Sequence, residues 1–147
     1  MAIRESIEIA RPPEEVFAYM TDPSRMAEWQ ESLVSARVQG DEPFGVGSRV
    51  THVRHVGGKD RTMTVEMTDY SSPRSFGFRG IEGPIRPVGK GSIEPLEDGS
   101  RSRVTMELDL KGHGIGKLLA PLARSQARSE MPRNQQHLKE RLEGTPT

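Results

Sequence analysis

Between Leu33 and Leu110 the chain is interrupted by five turn-forming clusters: Gly40-Asp41-Glu42-Pro43, Gly57-Gly58-Lys59-Asp60, Ser71-Ser72-Pro73, Gly83-Pro84 and Glu97-Asp98-Gly99. Strands joined in sequence by such turns pair as hairpins, so this punctuation predicts an antiparallel meander. The clearest strands are Thr62 to Thr68, with Met63, Val65 and Met67 on one side, and Arg103 to Leu110, with Val104, Met106, Leu108 and Leu110 on one side. Their other faces carry Thr62, Thr64, Glu66, Arg103, Thr105, Glu107 and Asp109, which assigns one face of the sheet to water.

What flanks the meander is different in kind. Ile3, Ile7 and Ile9 alternate with Arg4, Ser6 and Glu8, the period of a half-buried strand, and Glu5 breaks the apolar side. Arg11-Pro12-Pro13-Glu14-Glu15 then starts a short helix through Val16, Phe17 and Met20, with carboxylates at the positive end of its dipole. Asp22 as N-cap and Pro23 at the first helical position start a second short helix toward Trp29.

After Gly112-His113-Gly114 the composition turns to good helix formers as far as Glu143, before Gly144 and a polar end. Met131, Leu138 and Leu142 share a face at helical spacing, whereas Ile115, Leu118 and Leu122 fall nearly opposite. Pro121 and Pro132 are available to kink or divide the helix, and the expectation is a semi-independent flap over Ile115 to Ala120. With 147 residues, one domain over 1–144 with a short polar tail at 145–147 is the expected organisation.

Composition excludes several function classes. Twenty-one basic residues balance twenty-one acidic ones, which leaves no net field toward phosphate backbones or anionic lipid, so nucleic acid is not an expected partner. The absence of cysteine removes disulfides, thiolate nucleophiles and sulfur-ligated zinc, and fits a reducing, cytoplasmic setting. No segment approaches membrane-spanning length. His52, His55, His113 and His137 are scattered, and no metal or cofactor is expected. Gly45-Val46-Gly47 and Gly112-His113-Gly114 lack the strand-to-helix context of nucleotide loops.

Several segments, in this order, carry a family resemblance: Ser6 through Phe17, Asp22-Pro23 through Trp29, Gly45-Val46-Gly47-Ser48-Arg49-Val50, Tyr70-Ser71-Ser72-Pro73-Arg74, and Leu118-Leu119-Ala120-Pro121-Leu122. Together they span nearly the whole chain, and the sequence resembles the START-like (SRPBCC) superfamily of helix-grip proteins, closest to the bacterial polyketide cyclase/dehydrase branch. The resemblance implies an α+β helix-grip fold: a curved antiparallel sheet of six to seven strands wrapped around a long C-terminal helix. Two short helices after the first strand would close one end, leaving a cavity between sheet and helix.

If the apolar strand faces point inward, that cavity is lined by Met63, Val65, Met67, Phe76, Phe78, Ile93, Val104, Met106 and Leu108, with Trp29 near one end and Leu118 and Leu122 at the entrance. The alternative is that these residues simply fill a core. Gly89 and Gly91 share the parity of Ile93, where missing side chains leave space or mark a bend. Methionines at 20, 26, 63, 67, 106 and 131 offer adaptable apolar surface, though they also fill core gaps.

Val50, His52 and Arg54 alternate on one strand, and two faces stay open. Either His52 and Arg54 enter the cavity, or Val53 does and they are solvated. An inward Arg54 needs a partner, a ligand carboxylate or carbonyl or the off-pattern Glu5. His52 is a candidate general acid or base, and Tyr70 a weaker candidate beside a turn.

Three functional readings follow. The first is binding of a small hydrophobic or aromatic ligand, polyketide- or lipid-like. The second is a polyketide cyclase or dehydratase using His52 and Arg54, for which no complete catalytic constellation is visible. The third is a protein-interaction or regulatory module, docking a partner or a second copy through the Ile115–Leu122 patch.

Overall fold

The computed structural model describes residues 3–144; the tail expected at 145–147 lies outside the described residues. Strand β1 (Ile3–Ile9) leads into helix α1 (Pro13–Met20) and a 3₁₀ segment (Pro23–Glu28). Strands β2 (Leu33–Val38), β3 (Arg49–Val56), β4 (Lys59–Ser71), β5 (Ser75–Glu82), β6 (Ile85–Leu96) and β7 (Arg101–Gly112) follow, and helix α2 (Gly116–Glu143) closes the chain.

The seven strands form one antiparallel sheet in the order β1-β7-β6-β5-β4-β3-β2. The turns read from the sequence make β2 to β7 a meander, and β1 adds itself beside β7, so that β1 and β2 are the edges. Register shifts at Leu33/Ser35 in β2 and at Thr64/Val65 and Met67/Asp69 in β4 place irregularities that bend a sheet and increase its twist. At Thr64/Val65 the unpaired residue is Ile81 of β5, so β4 keeps its register with β3 there, although Met63, Thr64 and Val65 are buried in succession.

The 3₁₀ segment is capped as its sequence predicts. Asp22 Oδ1 accepts from the Ser24 amide at 3.0 Å and from the Ser24 hydroxyl at 2.6 Å. Replacing Asp22 by alanine leaves that amide without its acceptor, and is expected to cost about 1 kcal/mol, read as a lower midpoint in urea denaturation with an unchanged slope.

Helix α2 is continuous, which corrects the expectation of a separate flap over Ile115 to Ala120. Both Pro121 and Pro132 lie inside it. Each forfeits one amide donor, and the packing of the helix on β1 and β7 outweighs that loss. The face of Met131 and Leu138 does continue toward the N-terminus, but through Ala127, Ala123 and Ala120 instead of large residues. Ile115, Leu118 and Leu122 therefore remain on the outer face, at 77%, 85% and 51% exposure.

Three sets of polar contacts hold α2 along its length. Near its start Gln126 Nε2 donates to the His55 carbonyl at 2.8 Å, next to the β3–β4 turn. In the middle Arg133 donates to both oxygens of Glu31, at 2.9 and 3.1 Å, and Asn134 Oδ1 accepts from the Glu31 amide at 2.9 Å. At its end Lys139 donates to the Glu8 carbonyl at 2.8 Å, and Glu143 Oε2 accepts from the Ala10 amide at 2.8 Å.

The apolar core is in two parts. One gathers Ile9, Val16, Phe17, Met20, Trp29, Phe76, Ile93, Val104 and Leu138; the other gathers Val56, Met63, Ile85, Leu110 and Ala123. No described helix is long and apolar enough to cross a membrane.

Candidate functional site

A cavity of about 160 Å³ lies between the inner face of the sheet and α2, lined by residues of both core parts. That is room for on the order of ten water molecules. Met63, Val65, Met67 and Phe76, all buried, form the apolar floor with Phe78 and Met106. Met20, Met26 and Trp29 come from the helical connection after β1, and Ala123, Ala127 and Met131 from α2.

The strand β3 settles which way its side chains point. Val50, His52, Arg54 and Val56 all line the cavity, while His55 is exposed and lies 2.9 Å from Asp60. Antiparallel pairing sets His52 opposite Met63 and Val50 opposite Val65, which places them on the inner face with those apolar side chains.

His52 is 7% exposed, and burial, followed by the positive charge of Arg54, pushes its imidazole down to about 3. The ring is neutral at physiological pH. Arg54 Nη2 lies 3.4 Å from His52 Nδ1; an arginine only donates, so Nδ1 accepts and the ring proton sits on Nε2. Burial also lowers Arg54, to about 10, and Glu130 acts in the opposite direction, so the guanidinium keeps its charge. Its closest partner is Gln30 Oε1, at 2.5 Å. Glu5 does not serve as that partner: no hydrogen bond joins the two, and β1 lies at the far end of the strand order from β3.

Of the residues singled out from sequence, Trp29, His52, Arg54, Met63, Val65, Met67, Phe76, Phe78 and Met106 are brought together around the cavity. Ile93 and Val104 are not in its wall; they are buried in the first core part beneath α1 and the end of α2. Tyr70 stands apart as well, with its ring edge-on to Phe17 at 5.1 Å and to Phe44 at 5.5 Å, a packing role. Leu118 and Leu122 are not among the residues lining the cavity; they are exposed on α2, which presents its alanines inward.

Gly89 and Gly91 do not open space for a ligand either. A Cβ at Gly91 would meet the Phe76 ring at 2.5 Å and Met106 Sδ at 2.9 Å, and one at Gly89 would meet Phe78 Cζ at 2.5 Å. Each glycine is directly paired with that phenylalanine across β5 and β6, so the ring lies over the bare backbone. The missing side chains seat the aromatic floor.

Apart from His52 and Arg54, the polar part of the wall was not anticipated. Gln126, Glu130 and Asn134 follow one another at helical spacing on α2, and Gln30 and Gln135 complete it. The signal was present in the sequence once Ala123, Ala127 and Met131 are read as the buried stripe, since 126, 130 and 134 border it. One donor in the wall is unmatched: Trp29 is 5% exposed and its indole Nε1 has no hydrogen-bond partner.

A curled antiparallel sheet gripping a C-terminal helix, with two short helices after the first strand and a cavity between, is the START-like helix-grip fold. Residues 1–143 match the family described as polyketide cyclase / dehydrase and lipid transport, and the chain belongs to that family. Solved structures share the fold. A START superfamily protein from Mycobacterium smegmatis is 14% identical, with a TM-score of 0.80 and 97% of each chain covered. A protein from Thermus thermophilus is 22% identical, with a TM-score of 0.78 and 97% of each chain covered. The Zhui aromatase/cyclase of Streptomyces sp. R1128 is 19% identical, with a TM-score of 0.71, covering 97% of this chain and 93% of that one. No curated protein matches the sequence.

Proposed function

We propose that the protein binds a small hydrophobic or aromatic ligand, polyketide- or lipid-like, between its sheet and α2. The observation that carries this reading is an apolar cavity between the sheet and α2, lined from both core parts and carrying a few polar groups at its wall. An unfilled cavity forfeits dispersion contacts, at about 24 cal/mol per Å³, so a ligand that fills it recovers stability. The floor of Met63, Met67 and Met106 suits irregular apolar shapes.

A second reading is favoured by the His52–Arg54 pair on the cavity wall. In a cyclase or dehydratase, Arg54 would polarise a substrate oxygen as negative charge develops there. His52, held neutral by burial, would orient Arg54 and donate from Nε2, and would supply no proton as a cationic acid at neutral pH. Solved structures of the same fold include the Zhui aromatase/cyclase and the di-domain ARO/CYC StfQ, which supports this reading.

Trp29 is the one tryptophan of the chain and lines the cavity, so its fluorescence reports occupancy. Titration with decan-1-ol is expected to give a saturable change in Trp29 emission, and native mass spectrometry of the same sample a one-to-one complex. The absence of both signals overturns the binding reading.

A further inference from the structure

Arg54 is the part of the cavity wall that apolar binding does not explain. Its partners are two neutral groups, Gln30 Oε1 at 2.5 Å and His52 Nδ1 at 3.4 Å, and both are met by Nη2. Among the described residues Nε and Nη1 make no hydrogen bond to the protein. They are not sealed away, since Trp29 Nε1 and Arg124 Nε are the side-chain atoms left buried without a partner. A guanidinium has five N–H donors in a planar fork, and Arg54, a residue of the cavity wall, has three of them left without a protein acceptor.

The charges around it leave room for an anion. On α2, Glu130 acts on Arg54 from a distance, and its Oε1 accepts from Gln126 Nε2 at 3.2 Å. His52 is neutral, and Gln30, Asn134 and Gln135 carry no charge. A half-buried cation whose hydrogen-bond partners are all neutral gains from an added counter-charge, and a carboxylate meets the free edge of a guanidinium with two parallel hydrogen bonds.

We propose that the ligand is an apolar carboxylic acid of about a dozen non-hydrogen atoms, its carboxylate paired with Arg54 and its body lying on the floor of Met63, Val65, Met67 and Met106. This rests on the binding reading above and names the chemical class that the site selects. The selection has a sign that an apolar pocket alone cannot give. Moving an ionised carboxylate out of water is costly, so a pocket without a cation prefers an alcohol to the acid of the same chain. A pocket built around Arg54 reverses that order.

The test compares decanoic acid with decan-1-ol at pH 7.5, below their critical micelle concentrations, by Trp29 fluorescence and titration calorimetry. Decanoate is expected to bind at least tenfold more tightly than decanol. Arg54→Gln is expected to bring the two within threefold of each other or to reverse the order, and Arg54→Lys to keep part of the preference. Decanol binding as tightly as decanoate to the unaltered protein overturns the proposal while leaving the binding reading intact, and needs no variant to fold. Binding of neither overturns both.

Discussion

Leu138→Ala is expected to lower the free energy of unfolding by about 3 to 4 kcal/mol, the largest stability effect of any single truncation in α2. Leu138 has no solvent exposure and belongs to the same core part as Ile9, Phe17, Ile93 and Val104, where β1, α1 and the sheet meet the helix. Removing its isopropyl group takes away the transfer free energy of those three carbons and leaves a hole that the surrounding strands cannot close. In thermal unfolding this corresponds to a fall of roughly 10 °C for a chain of this size. Leu118→Ala is the control: at 85% exposure it should change stability by no more than about 0.5 kcal/mol. Equal losses for the two variants in urea denaturation would falsify the gripped face assigned to α2.

The second large effect is a dependence of stability on pH that comes from His52. Its folded-state pKa is pushed down to about 3, against 6.5 for an exposed imidazole, so between those values the unfolded chain binds a proton that the folded one refuses. Stability is therefore complete above pH 6.5 and falls as the pH drops from there toward 3. Between pH 7 and pH 5 the loss from this one residue is about 2 kcal/mol. Carboxylates add their own dependence, mostly at lower pH, so the measurement is a difference. Urea denaturation of the parent and of His52→Gln at both values should show the variant losing about 2 kcal/mol less on acidification. Parallel losses would mean that His52 is protonated, or exposed, in the folded protein.

The two effects arise from different levels of the chain. Leu138 was readable as buried from its spacing with Met131 and Leu142, because a 3.6-residue winding puts them on one face. The alanines that continue that face were not, since an alanine is an ordinary helix former on any face and its burial depends on what approaches it. The sequence reading consequently set Leu118 and Leu122 at the cavity entrance and took Ile115 to Ala120 as a semi-independent flap. The continuous helix turns them outward.

The strands show the same division. Period-two alternation in β4 and β7 identified the inner face with Met63, Val65, Met67 and Met106, which do line the cavity. On β3 the alternation was ambiguous, because valines occupy both parities at 50 and 53. Pairing with β4 removed the ambiguity by setting His52 opposite Met63. Gly89 and Gly91 were legible as places without side chains, but only the cross-strand register shows that Phe78 and Phe76 fill them.

Turn chemistry, side-chain period and helix propensity are local properties of the chain, so the elements, their order and the antiparallel meander were legible from the residues alone. Which of two faces a strand buries, which stripe a helix presents, and whether Arg54 meets a carboxylate or an open cavity were decided by the tertiary structure. Those outcomes depend on groups more than twenty residues apart in sequence, such as Gln30 and Arg54, being brought within 2.5 Å. A buried charge acquires its meaning only from the neighbours the fold supplies.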